Sequence, residues 1–360
     1  MKSFRTLYRY FRGEILEVPS RIILWLFIIT LIIFPHIWGN SYVLRLLNIT
    51  AIFAIYAASW DLLGGFVGQI NLGHALFFGI GAYIAGLLNL KLGMPFWSTI
   101  PLSGIGAVIV GSVVAIPSLR LRGLYLALVT LTFPIILSGL VNLFPGISGG
   151  ELGIYGIEGI SDSEIFKYYL ILFTMLLSCF VMYKFSDSQS KFIRVGIILC
   201  GIREDEIAAR VSGIETTKYK IGIFALSGFF AGIAGSLYTH LINAAGPSNL
   251  ELLFSILPIL WTVFGSIGTI YGPIAGVYIL YPLLQYIRAY PFGEKYQGII
   301  LAIILLFVLL YMPEGITIWI RDKIEILCPR CKTINFFNRN KCRACRADLK
   351  LSTDGQLSQI

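Results

Sequence analysis

Long apolar stretches separated by short polar breaks run through most of this chain. Ten stand out, at residues 22–39, 42–63, 72–90, 96–118, 123–144, 166–185, 219–242, 253–270, 273–290 and 296–312. Most have roughly the ~20 residues that a helix needs to cross a bilayer core. Barrel strands would read as short segments of alternating hydrophobicity. These runs are continuous, so the pattern predicts spanning helices. Ahead of the first run, Met1–Arg21 carries Lys2, Arg5, Arg9, Arg12 and Arg21. The run behind it, Ile22–Trp38, is long for a signal-peptide core and no small-x-small site follows, which predicts an uncleaved first span. The expected fold class is an all-α polytopic membrane protein of about ten transmembrane helices. The expected divisions are an amphipathic lead over 1–21, a membrane domain over 22–320 and a small appendage over 321–360.

Composition supports that class. Of 360 residues, 57% are hydrophobic and 13% charged, with a mean hydropathy of +0.81. A soluble fold of this size cannot hide so much apolar surface, which excludes a soluble enzyme, a disordered chain and a fibrous protein. The net charge of +9 has two readings, nucleic-acid binding or an excess of basic residues on one membrane face. With the N-terminus inside and the spans alternating, 23 of the 28 Lys and Arg fall inside and five outside. The positive-inside rule then puts both termini in the cytoplasm. The 145–165 loop, with Glu151, Glu158, Asp162 and Glu164 and no Lys or Arg, falls outside. The charge excess reports topology, and nucleic acid is not an expected partner.

Chemistry-bearing patterns are few. There is no G-x-x-x-x-G-K-[ST] loop, and the three histidines lie on different segments, so no ATPase or hydrolase site is expected. The spans carry no series of acids for a proton or sodium relay. Gly228, Gly232 and Gly235 have the spacing that lets helices approach closely, and Gly268-Thr-Ile-Tyr-Gly272-Pro273 reads as a tight turn between spans. Gly68-Gln69-Ile70-Asn71-Leu72-Gly73-His74-Ala75 places three polar side chains, Gln69, Asn71 and His74, at membrane depth among glycines. Such backbone is tolerated where it lines a cavity or is buried in protein. Two readings stand, a lining of the translocation path and a hydrogen-bonded clamp between helices. Between the sixth and seventh spans, Ile202–Gly213 reads as a short charged helix stopped by Gly213. Glu206 pairs with Arg210 on one face, and Ile207 and Val211 form an apolar stripe. It is either a solvated connector or a lever that fits a partner's groove.

Four stretches together resemble the LivM-type permease subunits of branched-chain amino acid ABC importers. They are Gly68–Tyr83, Leu119–Tyr125, Gly201–Gly213 and Phe264–Pro273. Urea and short-amide permeases are similar at these places. The resemblance implies an ATPase-coupling loop carried here by Arg203, Glu204, Glu206, Ala208, Ala209 and Gly213. It also implies two ATP-binding subunits that bind the ATP, a second permease subunit, an extracytoplasmic solute-binding protein, and residence in a prokaryotic inner membrane among its lipid. The different-class alternative is a membrane-anchored scaffold.

The tail departs from that family. Cys328-Pro-Arg-Cys331 and Cys342-Arg-Ala-Cys345 are two knuckles ten residues apart. Four thiolates so spaced suit a tetrahedral structural zinc site with no open position. Iron also fits an all-sulfur site. Cys179 and Cys200 lie in apolar surroundings and read as packing residues.

Overall fold

The computed structural model describes residues 19–349 apart from 38, 119–120, 122, 188–194, 291–292, 332–333, 338 and 343–344. The lead expected over 1–21 lies, up to residue 18, outside the described residues, as do Arg120 and Arg122. Every one of the ten apolar runs is a helix. They are α1 (Pro19–Ile37), α2 (Ser41–Asp61), α3 (Ala75–Leu92), α4 (Phe96–Ser118), α5 (Leu124–Leu143), α7 (Glu164–Ser186), α10 (Thr216–Ile242), α11 (Leu252–Gly265), α12 (Tyr271–Arg288) and α13 (Gly293–Tyr311). The single turn α6 (Pro145–Ser148), the connecting helices α8 (Val195–Glu204) and α9 (Glu206–Val211), and α14 (Ile316–Ile324) complete the set. Seven helical stretches among the described residues are long and apolar enough to cross a membrane, and Ile22–Ile37 and Leu252–Gly265 are shorter apolar helices.

The chain forms two compact units. In the larger, residues 40–315, α2, α3 and α10 make the interior, and α4, α5 and α7 turn broad apolar faces outward. From Thr50 to Asp61, α2 is buried at every position. Such all-round burial suits a helix whose neighbours cover every face. The small residues let the neighbours in. A Cβ at Gly81 would fall on the Gly232 backbone, and one at Gly235 on the Phe78 carbonyl. Of the three predicted glycines, Gly228 and Gly235 face α3, and Gly232 faces α4 while its backbone lies against Gly81 of α3.

Short strands β1 (Ile154–Tyr155) and β2 (Ala244–Ala245) pair antiparallel and tie the acidic loop to the end of α10. His240 fixes that loop from below. Its Nε2 lies 2.7 Å from Thr99 Oγ1 and its Nδ1 2.7 Å from the Glu158 carbonyl. Glu158 N–H in turn donates to Asn89 (2.9 Å). The smaller unit joins α1, α14 and the tail, in which β3 (Glu325–Leu327) pairs antiparallel with β4 (Ile334–Phe336).

Candidate functional site

At Asp61, α2 opens into a wide π-helical turn, Leu62–Phe66, and the chain then leaves helix through Gly68 (φ +74°) until α3 begins at Ala75. Wide turns of this kind release carbonyls from the regular ladder. The polar, glycine-broken segment is therefore irregular backbone, as its sequence predicts. Gln69, Asn71 and His74 turn inward, with exposures of 7%, 2% and 0%, while Ile70 faces out at 52%. Asn71 Oδ1 accepts from Gly73 N–H (2.8 Å), and the Asn71 carbonyl accepts from the Trp60 indole (2.7 Å). His74 Nε2 lies 2.9 Å from Ser59 Oγ, whose hydroxyl donates to the Tyr56 carbonyl (2.7 Å). The Tyr56 ring stacks on the imidazole at 4.9 Å. These contacts are what the clamp reading requires. Other atoms fit it less well. Gln69 Oε1, Asn71 Nδ2 and His74 Nδ1 are buried without a protein partner, and so is Asp61 Oδ2. Buried polar atoms are normally met by a protein group or an ordered water, and these four lie within fourteen residues of one another.

Asp61 is a buried charge at the end of α2. Its Oδ1 accepts from Gly268 N–H (2.9 Å) in the 266–270 turn between α11 and α12. A Cβ at Gly65 would strike both Asp61 and Gly268. Three elements therefore meet at one glycine.

The connecting segment differs from the expected single helix. It is two helices broken at Asp205, which is extended (φ −152°) and caps α9 by accepting from Ile207 N–H (2.8 Å) and Ala208 N–H (3.0 Å). An Asp bonded to the backbone in this way ends one helix and begins another. Helix α8 was missed. Its signal was Gly196, Leu199 and Ile202, buried at helical spacing. Ala209 is buried, Glu204 and Ala208 are exposed, and Gly213 ends α9 in a left-handed conformation (φ +85°). Glu206 holds α9 to the bundle. Its carboxylate pairs with Arg210 (2.8 Å) and with Lys220 of α10 (2.7 Å), a lysine 8% exposed. The apolar stripe is left outside, with Ile207 62% and Val211 84% exposed. Beside it is an open recess of about 410 Å³ lined by Gly213, Ile214, Glu215, Lys218 and Tyr219.

Arg203 points the other way. Its Nη1 donates to the Gly65 carbonyl (2.8 Å), and its stem packs against Gly68. The two groups of residues that the sequence singled out separately are thus in contact, joined through one arginine.

The four tail cysteines converge. Their sulfurs all lie within 4.8 Å of one another, with Cys328–Cys345 at 3.5 Å and Cys331–Cys342 at 3.4 Å. A tetrahedron with bonds of ~2.3 Å has edges of about 3.8 Å, while a disulfide is ~2.05 Å. The spacing therefore fits a metal ion. Asn335 Nδ2 donates to Cys342 Sγ (3.6 Å), the outer hydrogen bond that a thiolate ligand wants. Cys328, Cys342 and Leu349 form a small core behind it.

Comparison with known proteins supplies a family. The model of the branched-chain amino acid transport system / permease component family matches residues 42–309. The permease protein LivM of Escherichia coli K12, named for high-affinity branched-chain amino acid transport, is 27% identical over 335 residues, covering 84% of this chain and 76% of that one. Its counterpart in Salmonella typhimurium is 28% identical over 316 residues, 79% and 72% of the two chains. The LivH permease of Salmonella typhimurium is 24% identical, covering 73% of this chain and 90% of its own. No solved structure matches.

Proposed function

We propose a function on this premise: the chain belongs to the family of permease components of branched-chain amino acid transport systems. It is the membrane subunit of an ABC importer that carries branched-chain or related amino acids into the cytoplasm. It works beside a second permease subunit, two ATP-binding subunits and an extracytoplasmic binding protein, and it makes and breaks no bonds itself. It sits in the inner membrane of a prokaryote with both termini in the cytoplasm. The tail holds one structural zinc ion through Cys328, Cys331, Cys342 and Cys345.

One observation carries the reading. A charged loop between two spans presents Ile207 and Val211 to solvent, while Glu206 and Lys220 pin it from behind. Exposed apolar side chains on such a loop are suited to a partner's groove. Arg203 supplies the transmission, since a movement of α8 pulls on the π-helical turn and hence on the Gln69–His74 segment. The bare polar atoms there support a water-filled path alongside. The mechanism is alternating access, in which closure of the ATP-binding subunits moves the loop and the bundle rocks around that segment.

The test is uptake by proteoliposomes holding the permease pair, the ATP-binding subunits and the binding protein. ATP-dependent accumulation of a branched-chain amino acid is the expected result. Flux without ATP marks a channel, no flux marks an anchored scaffold, and accumulation of urea or a short amide in its place moves the substrate class.

A further inference from the structure

The tail has a surface that its metal site does not use. From Arg321 to Lys350 the sequence holds nine Lys and Arg against three Asp and Glu. A divalent ion on four thiolates contributes −2, so the loaded tail stays near about +4. Arg330, Arg339, Lys341 and Arg346 are all exposed, and Asp348 is the one acid among the described residues from Cys328 onward. The same unit also exposes apolar side chains. Phe337 is 63% exposed. Its N–H donates to the Ile324 carbonyl (2.9 Å), which brings it to the end of α14. That helix carries exposed Trp319 and Ile320, and the Lys323 ammonium lies 3.6 Å over the Trp319 ring.

Covalent continuity limits where this surface can go. Helix α14 begins after only four residues, Met312–Gly315, beyond the apolar helix α13. A fully extended chain covers at most ~3.6 Å per residue, so the start of α14 stays within about 18 Å of the end of a spanning helix. Basic clusters immediately beyond a span favour anionic headgroups. Tryptophan and lysine together favour the depth at which headgroups meet acyl chains. Arginine matches phosphate oxygens in a two-pronged geometry. RNA would also satisfy the arginines and could stack on Phe337 and Trp319, but it must be gathered from solution, whereas the headgroups lie within reach of the chain.

We propose that the tail is an interfacial module. Helix α14 lies in the bilayer surface, and the exposed basic residues of the ribbon bind anionic phospholipid headgroups, with Phe337 set among them. The zinc site then shapes a lipid-binding surface.

The experiment is hydrogen exchange on the full chain in nanodiscs of phosphatidylcholine alone or mixed with phosphatidylglycerol. Peptides covering 316–327 and 334–349 are expected to exchange roughly tenfold more slowly in the anionic discs. Raising the salt removes the difference, because the Debye length shrinks to ~3 Å at 1 M. The R330E/R339E/K341E/R346E variant removes it at low salt while keeping its metal content, and F337S reduces it. Equal exchange of the wild type in the two lipids overturns the proposal. So does protection that appears only on adding RNA or only on adding the ATP-binding subunits. Should the fourfold variant lose its metal, the salt titration of the wild type decides alone.

Discussion

Arg203 donates a 2.8 Å hydrogen bond to the carbonyl of Gly65, across 138 residues of sequence. The donor is on a connecting helix, and the acceptor is in the one π-helical turn among the described residues. A charged donor on a neutral carbonyl contributes about 1.5–3 kcal/mol when well enclosed, and less where, as here, the arginine is partly solvated.

The first prediction follows from that bond. Arg203→Ala is expected to leave the permease inserted and bound to its ATP-binding subunits, yet to lower transport roughly tenfold, the effect of ~1.4 kcal/mol on a rate-limiting step. ATP hydrolysis should persist, so the number of ATP molecules used per solute rises. Arg203→Lys restores part of the transport, since a lysine reaches the carbonyl with a single donor. Paired uptake and phosphate-release assays measure the ratio, and an unchanged ratio in Arg203→Ala defeats the transmission role.

The second concerns the docking face. Glu206→Lys sets a third cation beside Arg210 and Lys220 and leaves a nearly buried lysine without its carboxylate. Breaking a fully buried pair costs about 3–5 kcal/mol, and the partial exposure of Glu206 reduces that. Gly213→Asp forces a side chain into a left-handed backbone at φ +85°, a strain of about 1–2 kcal/mol. Both changes loosen α9, and Glu206→Lys also strains the start of α10 around Lys220, while the rest of the bundle stays folded. Co-purification of the ATP-binding subunits should fall in both, with the melting temperature of the permease held in Gly213→Asp. Normal co-purification together with normal uptake in both variants counts against the loop as the docking site.

Much of this arrangement was legible in the sequence, and the reasons differ by element. The ten apolar runs are helices because membrane depth demands continuous apolar residues and internal backbone pairing, which local sequence records directly. The cysteine cluster was legible because metal geometry fixes spacing. The segment after Gly68 reads as irregular, but its inward turn depends on Ser59 against His74, Trp60 against the Asn71 carbonyl and Thr130, whose Oγ1 accepts from Leu72 N–H (3.1 Å), and the positions of these three come from tertiary packing. The break at Asp205 was local and readable, since Asp is a strong cap. The inward reach of Arg203 was not, because an arginine in a charged loop looks the same whether it faces water or a carbonyl.

A third prediction tests the path. Single cysteines at 69, 71 and 74 replace side chains buried here, whereas a cysteine at 70 replaces one that faces out. With Cys200, the exposed native thiol of the membrane unit, changed to serine, Ile70→Cys should react with a small water-soluble thiol reagent in the resting transporter. The other three should stay slow and then accelerate when ATP is trapped. A segment that never reacts at 69, 71 or 74 in any state is a packing clamp alone.

The last prediction concerns the metal. The tail has a core of little more than Cys328, Cys342 and Leu349, and its paired strands are three residues each. Apolar burial on that scale cannot offset the conformational entropy of ordering the segment. A structural zinc site supplies on the order of 10–16 kcal/mol at neutral pH, so the ion decides whether the ribbon folds. Cys331→Ser removes one of four ligands and leaves an open position on the ion. Metal analysis of the purified wild type should return one zinc per chain, and of Cys331→Ser close to none, with iron in place of zinc changing the identity but not the stoichiometry. Proteolysis should then cut the variant within 328–349 at sites protected in the wild type. Transport is a separate question, because the matched family region ends at residue 309. A chain cut at residue 320 is expected to insert and keep measurable uptake. Wild-type protein without metal would contradict the ribbon, and a well-inserted truncation without any uptake would contradict its accessory role.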